Sequence, residues 1–366
     1  MLSIAFRVDG NKYIGLGHIF RCIHLATYFK HQYGADPIFL ILKSSLNPAV
    51  LNLLKKESIR YQIVSPEEDP WAENLPTLLR TVTPKRFDVV IVDLLIPDLQ
   101  DADLTKSNEF RPIDPQLLLA DLSRQGVPVV AFSDQFDRIS MQADLLINYC
   151  PSQKNEWYCS KLGSRYLLGV DYYILAPELR AFSEKANCSQ GGKLNVVIFC
   201  GGNDHRGFTK IALDELKSFR DALIITVILG AATPDGEHRV SMLRKQGIKA
   251  HFNLPELASL FFEADLAITT AGNTLFDLAA IGIPAIALST RERQMVTARF
   301  FSEQGYCYDA GSTEQEVRAN LAKIIPEIID NPEVLSAKAR QGKNTVDGNG
   351  ISRVAEEIVS LAMRGC

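Results

Sequence analysis

Two periodicities alternate along this chain. In its second half "LNVVIFCGG", "ALIITVILG", "IKAHFNL", "DLAITTAG" and "IPAIALS" are short apolar runs rich in β-branched residues, which predict buried strands. Between them, "TKIALDELKSF", "RVSMLRKQG", "LASLFFEA", "TLFDLAAIG" and "VTARFFSEQG" repeat apolar residues every three to four positions and end in glycine or charge, which predicts helices. Strand and helix in alternation predict a parallel sheet covered on both faces. The first half follows the same plan more loosely, with "LSIAFRVD", "PIFLIL", "IRYQIV", "DVVIVDLL" and "VPVVAFSD" as strands and "FRCIHLATYFKHQYG" as its clearest helix.

The polar stretch "APELRAFSEKANCSQGGK" (176–193) separates the two strand series. The expectation is an α/β protein of two Rossmann-like, doubly wound domains, the first over 1–180 and the second over 190–345, facing each other across a cleft. A terminal segment, 346–366, contains the amphipathic run "ISRVAEEIVSLAM". Ligands of parallel sheets bind beyond the carboxyl ends of the strands, so the loops after the strands are where chemistry should lie.

Composition narrows the partners. A chain of 366 residues, 46% of them hydrophobic, can bury a large core and exceeds the usual size of one domain. A formal charge of −4 argues against a broad surface for nucleic acid or anionic membrane and favours small molecules. The seven cysteines are scattered without paired short spacing, so they read as reduced thiols of a cytoplasmic protein, bridging neither each other nor zinc. No secretory leader and no membrane-spanning run is visible, and no cofactor or metal is called for.

The most informative loop is "GNKYIGLG", between the strand that carries Arg7 and Asp9 and the helix that begins near His18. A histidine in the first helical turn meets free backbone amides and the positive end of the helix dipole, which favour the neutral imidazole able to take a proton. Gly15 and Gly17 permit close approach of a ligand to the backbone. The spacing is not the dinucleotide fingerprint G-x-G-x-x-G, which argues against an NAD enzyme. His18 could also simply cap the helix, Arg7 and Asp9 could form a strand-end salt bridge, and Arg21 could be solvated.

The ordered set Arg7, Asp9, Gly15, Gly17, His18 and Arg21, together with "LLGVDYYILAPELR", "VVIFCGGNDHRGFTKIALDEL" and "ADLAITTAGNTLFDLAAIGIPAIAL", resembles the UDP-sugar hydrolases of pseudaminic acid biosynthesis. That family is related in fold to the glycosyltransferase-B enzymes that use UDP-N-acetylglucosamine. The resemblance implies a metal-independent hydrolase that releases UDP from a UDP-activated diacetamido sugar. In it His18 would be the general base for water, with Arg7, Asp9, Gly15, Gly17, Arg21, Asp93 and Gln294 near the sugar. It also implies that the terminal helix crosses back to the first domain.

The second domain would then hold UDP. Gly201, Gly202 and Asn203 follow a strand, where glycines let amides approach a diphosphate. Gly230, Leu254, Gly272, Asn273 and Thr274 complete the expected set. Asp277 would meet the ribose, although the family's usual residue there is Glu, and Thr274 with Asp277 also has the spacing of a helix cap. Other departures fall in the first domain: Asp93 lacks the family's aromatic partner, Ser133 replaces an acid before Asp134, and an expected histidine is missing from "DRISMQADLLINY". The alternative reading is a glycosyltransferase with a UDP-amino-sugar donor.

Overall fold

The computed structural model of the chain describes residues 1–10, 16–64, 87–94, 115–124, 126–133, 143–151, 165–183, 192–202, 204–254 and 257–364. They divide into two compact units, Met1–Ile174 with Asn349–Cys366, and Leu175–Gly348.

The first unit runs β1 (Ser3–Val8), α1 (Gly17–Tyr33), β2 (Asp36–Leu42), α2 (Pro48–Lys56), β3 (Arg60–Val64), β4 (Val89–Asp93), α3 (Pro115–Arg124), β5 (Val129–Phe132), β6 (Leu145–Asn148) and β7 (Arg165–Leu168). Its strands form one parallel sheet in the order β3-β2-β1-β4-β5-β6-β7. Local signals set the helix ends. Gly34 closes α1 in the left-handed region at φ 59°, where a glycine costs least, and Asn47 caps α2 by accepting from the Val50 N–H ahead of Pro48. Alternate residues of β1 face opposite ways: Ile4, Phe6 and Val8 pack with α1, and Ala5 packs toward α3.

The second unit runs α4 (Pro177–Ser183), β8 (Leu194–Phe199), α5 (Phe208–Leu216), β9 (Leu223–Leu229), α6 (Gly236–Lys245), β10 (Lys249–Phe252), α7 (Ala258–Phe262), β11 (Leu266–Thr270), α8 (Asn273–Ile281), β12 (Ala285–Leu288), α9 (Glu292–Glu303), β13 (Cys307–Asp309), α10 (Glu314–Asp330) and α11 (Val334–Thr345). Its parallel sheet has the order β10-β9-β8-β11-β12-β13. Thr313 and Glu316 form a reciprocal capping box at the start of α10.

The terminal helix α12 (Gly350–Arg364) belongs to the first unit, where Ile351, Val354, Ala355 and Ile358 join the α1 side of the core. The junction between units falls at Ile174 and Leu175, ahead of the polar stretch where the sequence places it, because α4 packs on α7 and α8. Both strand orders reverse direction once, between β1 and β4 and between β8 and β11. In open α/β sheets such a reversal, at the carboxyl ends of the strands, is the usual ligand position.

Candidate functional site

At the first reversal, α1 begins at Gly17 with Leu16 as its cap residue and no side-chain cap, so His18 is not a capping residue. Asp93 ends β4, and Val8 of β1 is its register partner. Helical spacing puts His18, Arg21 and Cys22 at i, i+3 and i+4, on one face of α1, and all three converge on that carboxylate. Nδ1 of His18 lies 2.7 Å from Asp93 Oδ1. Arg21 grips the carboxylate with both ends of its fork, Nε to Oδ2 at 2.5 Å and Nη2 to Oδ1 at 2.6 Å. The Cys22 thiol donates to Oδ2 at 3.4 Å. Arg21 is buried rather than solvated; its Nη1 donates to the Tyr149 hydroxyl at 2.6 Å, and its guanidinium carbon stands 4.9 Å from the Phe132 ring centroid.

The protonation pattern follows from what each group can do. Burial of Asp93 pushes its carboxyl upward, but Arg21 and then His18 outweigh that and hold it below the usual carboxylate range. An ionised carboxylate can only accept, so it accepts a hydrogen bond from the Nδ1–H of His18 and leaves Nε2 as the ring's basic atom. The 2.9 Å approach of Arg21 Nη2 to Nδ1 is then the third side of a triangle closed on Oδ1, since two donors cannot bond each other. Burial, followed by the Asp93 charge, raises the Cys22 thiol and keeps it a donor. The His18 side chain is 11% exposed against 1% for Asp93, so the cluster opens to solvent at the imidazole. Asp93, assigned by resemblance to the sugar, bonds both His18 and Arg21.

Arg7 and Asp9 form the salt bridge that their strand-end position allowed, Nη1 to Oδ2 at 2.7 Å, with Arg7 fully buried. The other Asp9 oxygen accepts from the Leu42 N–H at 3.0 Å and the Ser45 hydroxyl at 3.3 Å, and Ser45 in turn accepts from the Gly10 N–H. This network ties the ends of β1 and β2 together at the start of the loop that leads to His18. Gly15 lies outside the described residues.

The second reversal is built mostly from backbone. Gly201 turns the chain at φ 82°, and a β-carbon on Gly230 would lie 2.4 Å from its carbonyl oxygen. Gly230, expected to contact UDP, is thus required where the end of β9 meets the Gly201–Gly202 turn, a packing reason sufficient in itself. The Asp204 carboxylate caps α5, accepting from Phe208 N at 2.9 Å and Thr209 N at 2.7 Å. Across the reversal, α8 starts at Asn273 with Gly272 as cap residue and no side-chain cap, so Thr274 and Asp277 do not make the capping arrangement that their spacing allowed. Asp277 sits near enough to Tyr306 to raise its hydroxyl, after burial and Cys307. Gln294 Nε2 lies 3.7 Å from where a β-carbon on Gly272 would stand. Leu254 follows the edge strand β10, two strands from β8, and Asn203 lies outside the described residues.

Cys22, Ser45 and Tyr149 escaped the sequence reading. Cys22 had a usable signal in its helical spacing from His18. Tyr149, 128 residues from Arg21, had none. Among the described residues no group of three or more His, Cys, Asp or Glu is arranged to hold a metal, and no helix is long and apolar enough to cross a membrane.

Comparison with known proteins gives this geometry a setting. Residues 195–354, most of the second unit and the start of α12, match the family model of the glycosyltransferase family 28 C-terminal domain. The spore coat polysaccharide biosynthesis protein SpsG of Bacillus subtilis is 24% identical over 367 aligned residues, 98% of each chain. Among solved structures, MurG of Acinetobacter baumannii aligns with a TM-score of 0.66 and 15% identity, covering 98% of this chain and 100% of that one. UDP-GlcNAc 2-epimerase of Neisseria meningitidis, solved bound to UDP-GlcNAc, aligns at 0.63 and 13%, over 98% and 100%. The fold is therefore of the glycosyltransferase-B type, two Rossmann-like domains of parallel sheet.

Proposed function

We propose that this chain is an enzyme of surface polysaccharide biosynthesis that transfers a sugar from UDP to an oxygen nucleophile. The single observation that carries the reading is the His18–Asp93–Arg21 cluster at the first reversal. Nδ1–H of His18 donates to Asp93, so Nε2 accepts the nucleophile's proton as its oxygen bonds to the anomeric carbon. The bond from that carbon to the diphosphate breaks, and its electron pair leaves with UDP. General-base assistance of this kind is typically worth about 10²–10⁴ in rate.

The reading assigns the diphosphate to the Gly201–Gly202 turn and to the start of α8 at Gly272, Asn273 and Thr274. Glycine turns and the amides of a first helical turn suit an anion without any metal. The family 28 match over this unit and the spore coat polysaccharide biosynthesis role in the name of the Bacillus relative support a saccharide hydroxyl as the acceptor.

Water is the second reading, supported by the residues Arg7, Asp9, Gly15, Gly17, His18 and Arg21 in that order, which resemble the pseudaminic-pathway hydrolases. In that case the product would be a free diacetamido sugar. UDP release from a panel of UDP-amino sugars, measured with and without saccharide acceptors, tests both. Release that depends on an acceptor supports transfer, and equal release without one supports hydrolysis. If neither UDP binding nor UDP release is seen across the panel, the nucleotide-sugar reading is overturned.

A further inference from the structure

One arrangement in the second unit fixes the polarity of an otherwise ambiguous side chain. Gln294, in the first turn of α9, reaches back to Thr290, and its Oε1 accepts from the Thr290 N–H at 2.8 Å and from the Thr290 hydroxyl at 3.0 Å. A peptide N–H can only donate, so the amide atom facing it must be oxygen and Nε2 must point the other way. In that direction lies Gly272, where a β-carbon would stand 3.7 Å from Nε2. Thr290 is held in turn: its carbonyl accepts from Arg206 Nη2 at 3.4 Å, and the neighbouring Ser289 N–H bonds to the Gly311 carbonyl at 3.0 Å.

We propose that Thr290 is a positioning residue of the nucleotide-sugar site. By occupying the carbonyl of Gln294 it makes the amide a donor alone beside Gly272, and so selects a group that can only accept, a non-bridging oxygen of the diphosphate. The inference rests on the nucleotide-sugar reading and adds to it the residue that sets the amide's orientation. A glutamine without this contact could turn its oxygen to the same place, where it would repel a phosphate. The contact also resembles a capping box displaced outward by one residue, so a purely structural role is the competing explanation.

Gln294→Glu separates the two roles. A glutamate still accepts from the Thr290 N–H and is favoured in a first helical turn, so a capping role survives the change. What it turns toward Gly272 is an anionic oxygen in place of N–H donors. We expect Gln294→Glu to unfold at the wild-type temperature or above it while calorimetric UDP affinity falls by about tenfold or more. Thr290→Val should raise KM for the UDP-sugar by about threefold to tenfold with kcat unchanged, and Thr290→Ser, which restores the hydroxyl, should return KM to the wild-type value. If wild type binds UDP and Gln294→Glu binds it equally well, or if Thr290→Ser fails to restore what Thr290→Val loses, the positioning role is overturned while the nucleotide-sugar reading stands. If wild type itself does not bind UDP, the nucleotide-sugar reading falls and takes the inference with it.

Discussion

The two units share the order of their first six strands and differ in what they place at its reversal. The first gathers side chains with charge, His18, Arg21 and Asp93, packed under Tyr149 and Phe132 and buried except at the imidazole. The second places glycines, hydroxyls and carboxamides there, and the Asp204 carboxylate is spent on capping α5. A buried charged cluster is suited to moving a proton, because its orientation and protonation are set in advance by neighbours. A backbone cradle is suited to holding an anion, because amides neither titrate nor need a counter-charge. Under the proposed function, substitutions in the first unit should therefore act on turnover and those in the second on affinity.

His18→Ala tests that division most severely. Turnover of the UDP-sugar should fall by about 10²–10⁴ while calorimetric UDP affinity stays at the wild-type value. A matched loss of affinity would erase the distinction between the units.

Asp93→Asn should come next, since it leaves the Arg21 charge buried without its carboxylate. Unfolding titrations should show a loss of about 3–5 kcal/mol near neutral pH. The sign with pH is fixed by the direction of the Asp93 shift. A carboxyl held below its unfolded value of about 3.9 stabilises fully above that pH and loses the contribution as pH falls through its folded value. The gap between wild type and Asp93→Asn should accordingly narrow in acid below about pH 4.

Gly230→Ala is the smaller test, aimed at the cradle. The added methyl would meet the Gly201 carbonyl and Gly202, both backbone, so they cannot step aside as a side chain could. A cost of about 1–3 kcal/mol in stability and a weaker UDP complex are expected, with kcat unchanged. Unaltered UDP binding in a folded Gly230→Ala protein would detach that turn from the site.

Much of the second unit was legible because its strands are buried on both faces and read as continuous apolar runs, as in "LIITVIL" of β9. The missed strands are short or half-exposed. Residues "RYLL" of β7 and "CYD" of β13 carry too few apolar positions to show a period, and only the neighbouring strand makes them strands. In the site, His18 and Asp93 were both visible as polar residues at strand and helix ends. That Asp93 serves His18 was not, because β4 reaches α1 only through the strand order, across 75 residues of sequence. Likewise Gly230 drew attention as a glycine after a strand, yet its neighbour across the turn is what requires it.

The place of α12 bears on how the chain assembles. Ile351, Val354, Ala355 and Ile358 fill the α1 side of the first core, and a β-carbon on Gly350 would lie 2.1 Å from the Tyr173 carbonyl, so the helix is seated tightly. During synthesis the first unit's strands emerge early, but this face of their core stays open until residues 350–364 have followed the whole of the second unit. The second unit, continuous from Leu175 to Gly348, can close first. Residues 1–174 therefore spend the longest interval with exposed apolar surface, and the half that carries the His18–Asp93 pair is the half that finishes folding last.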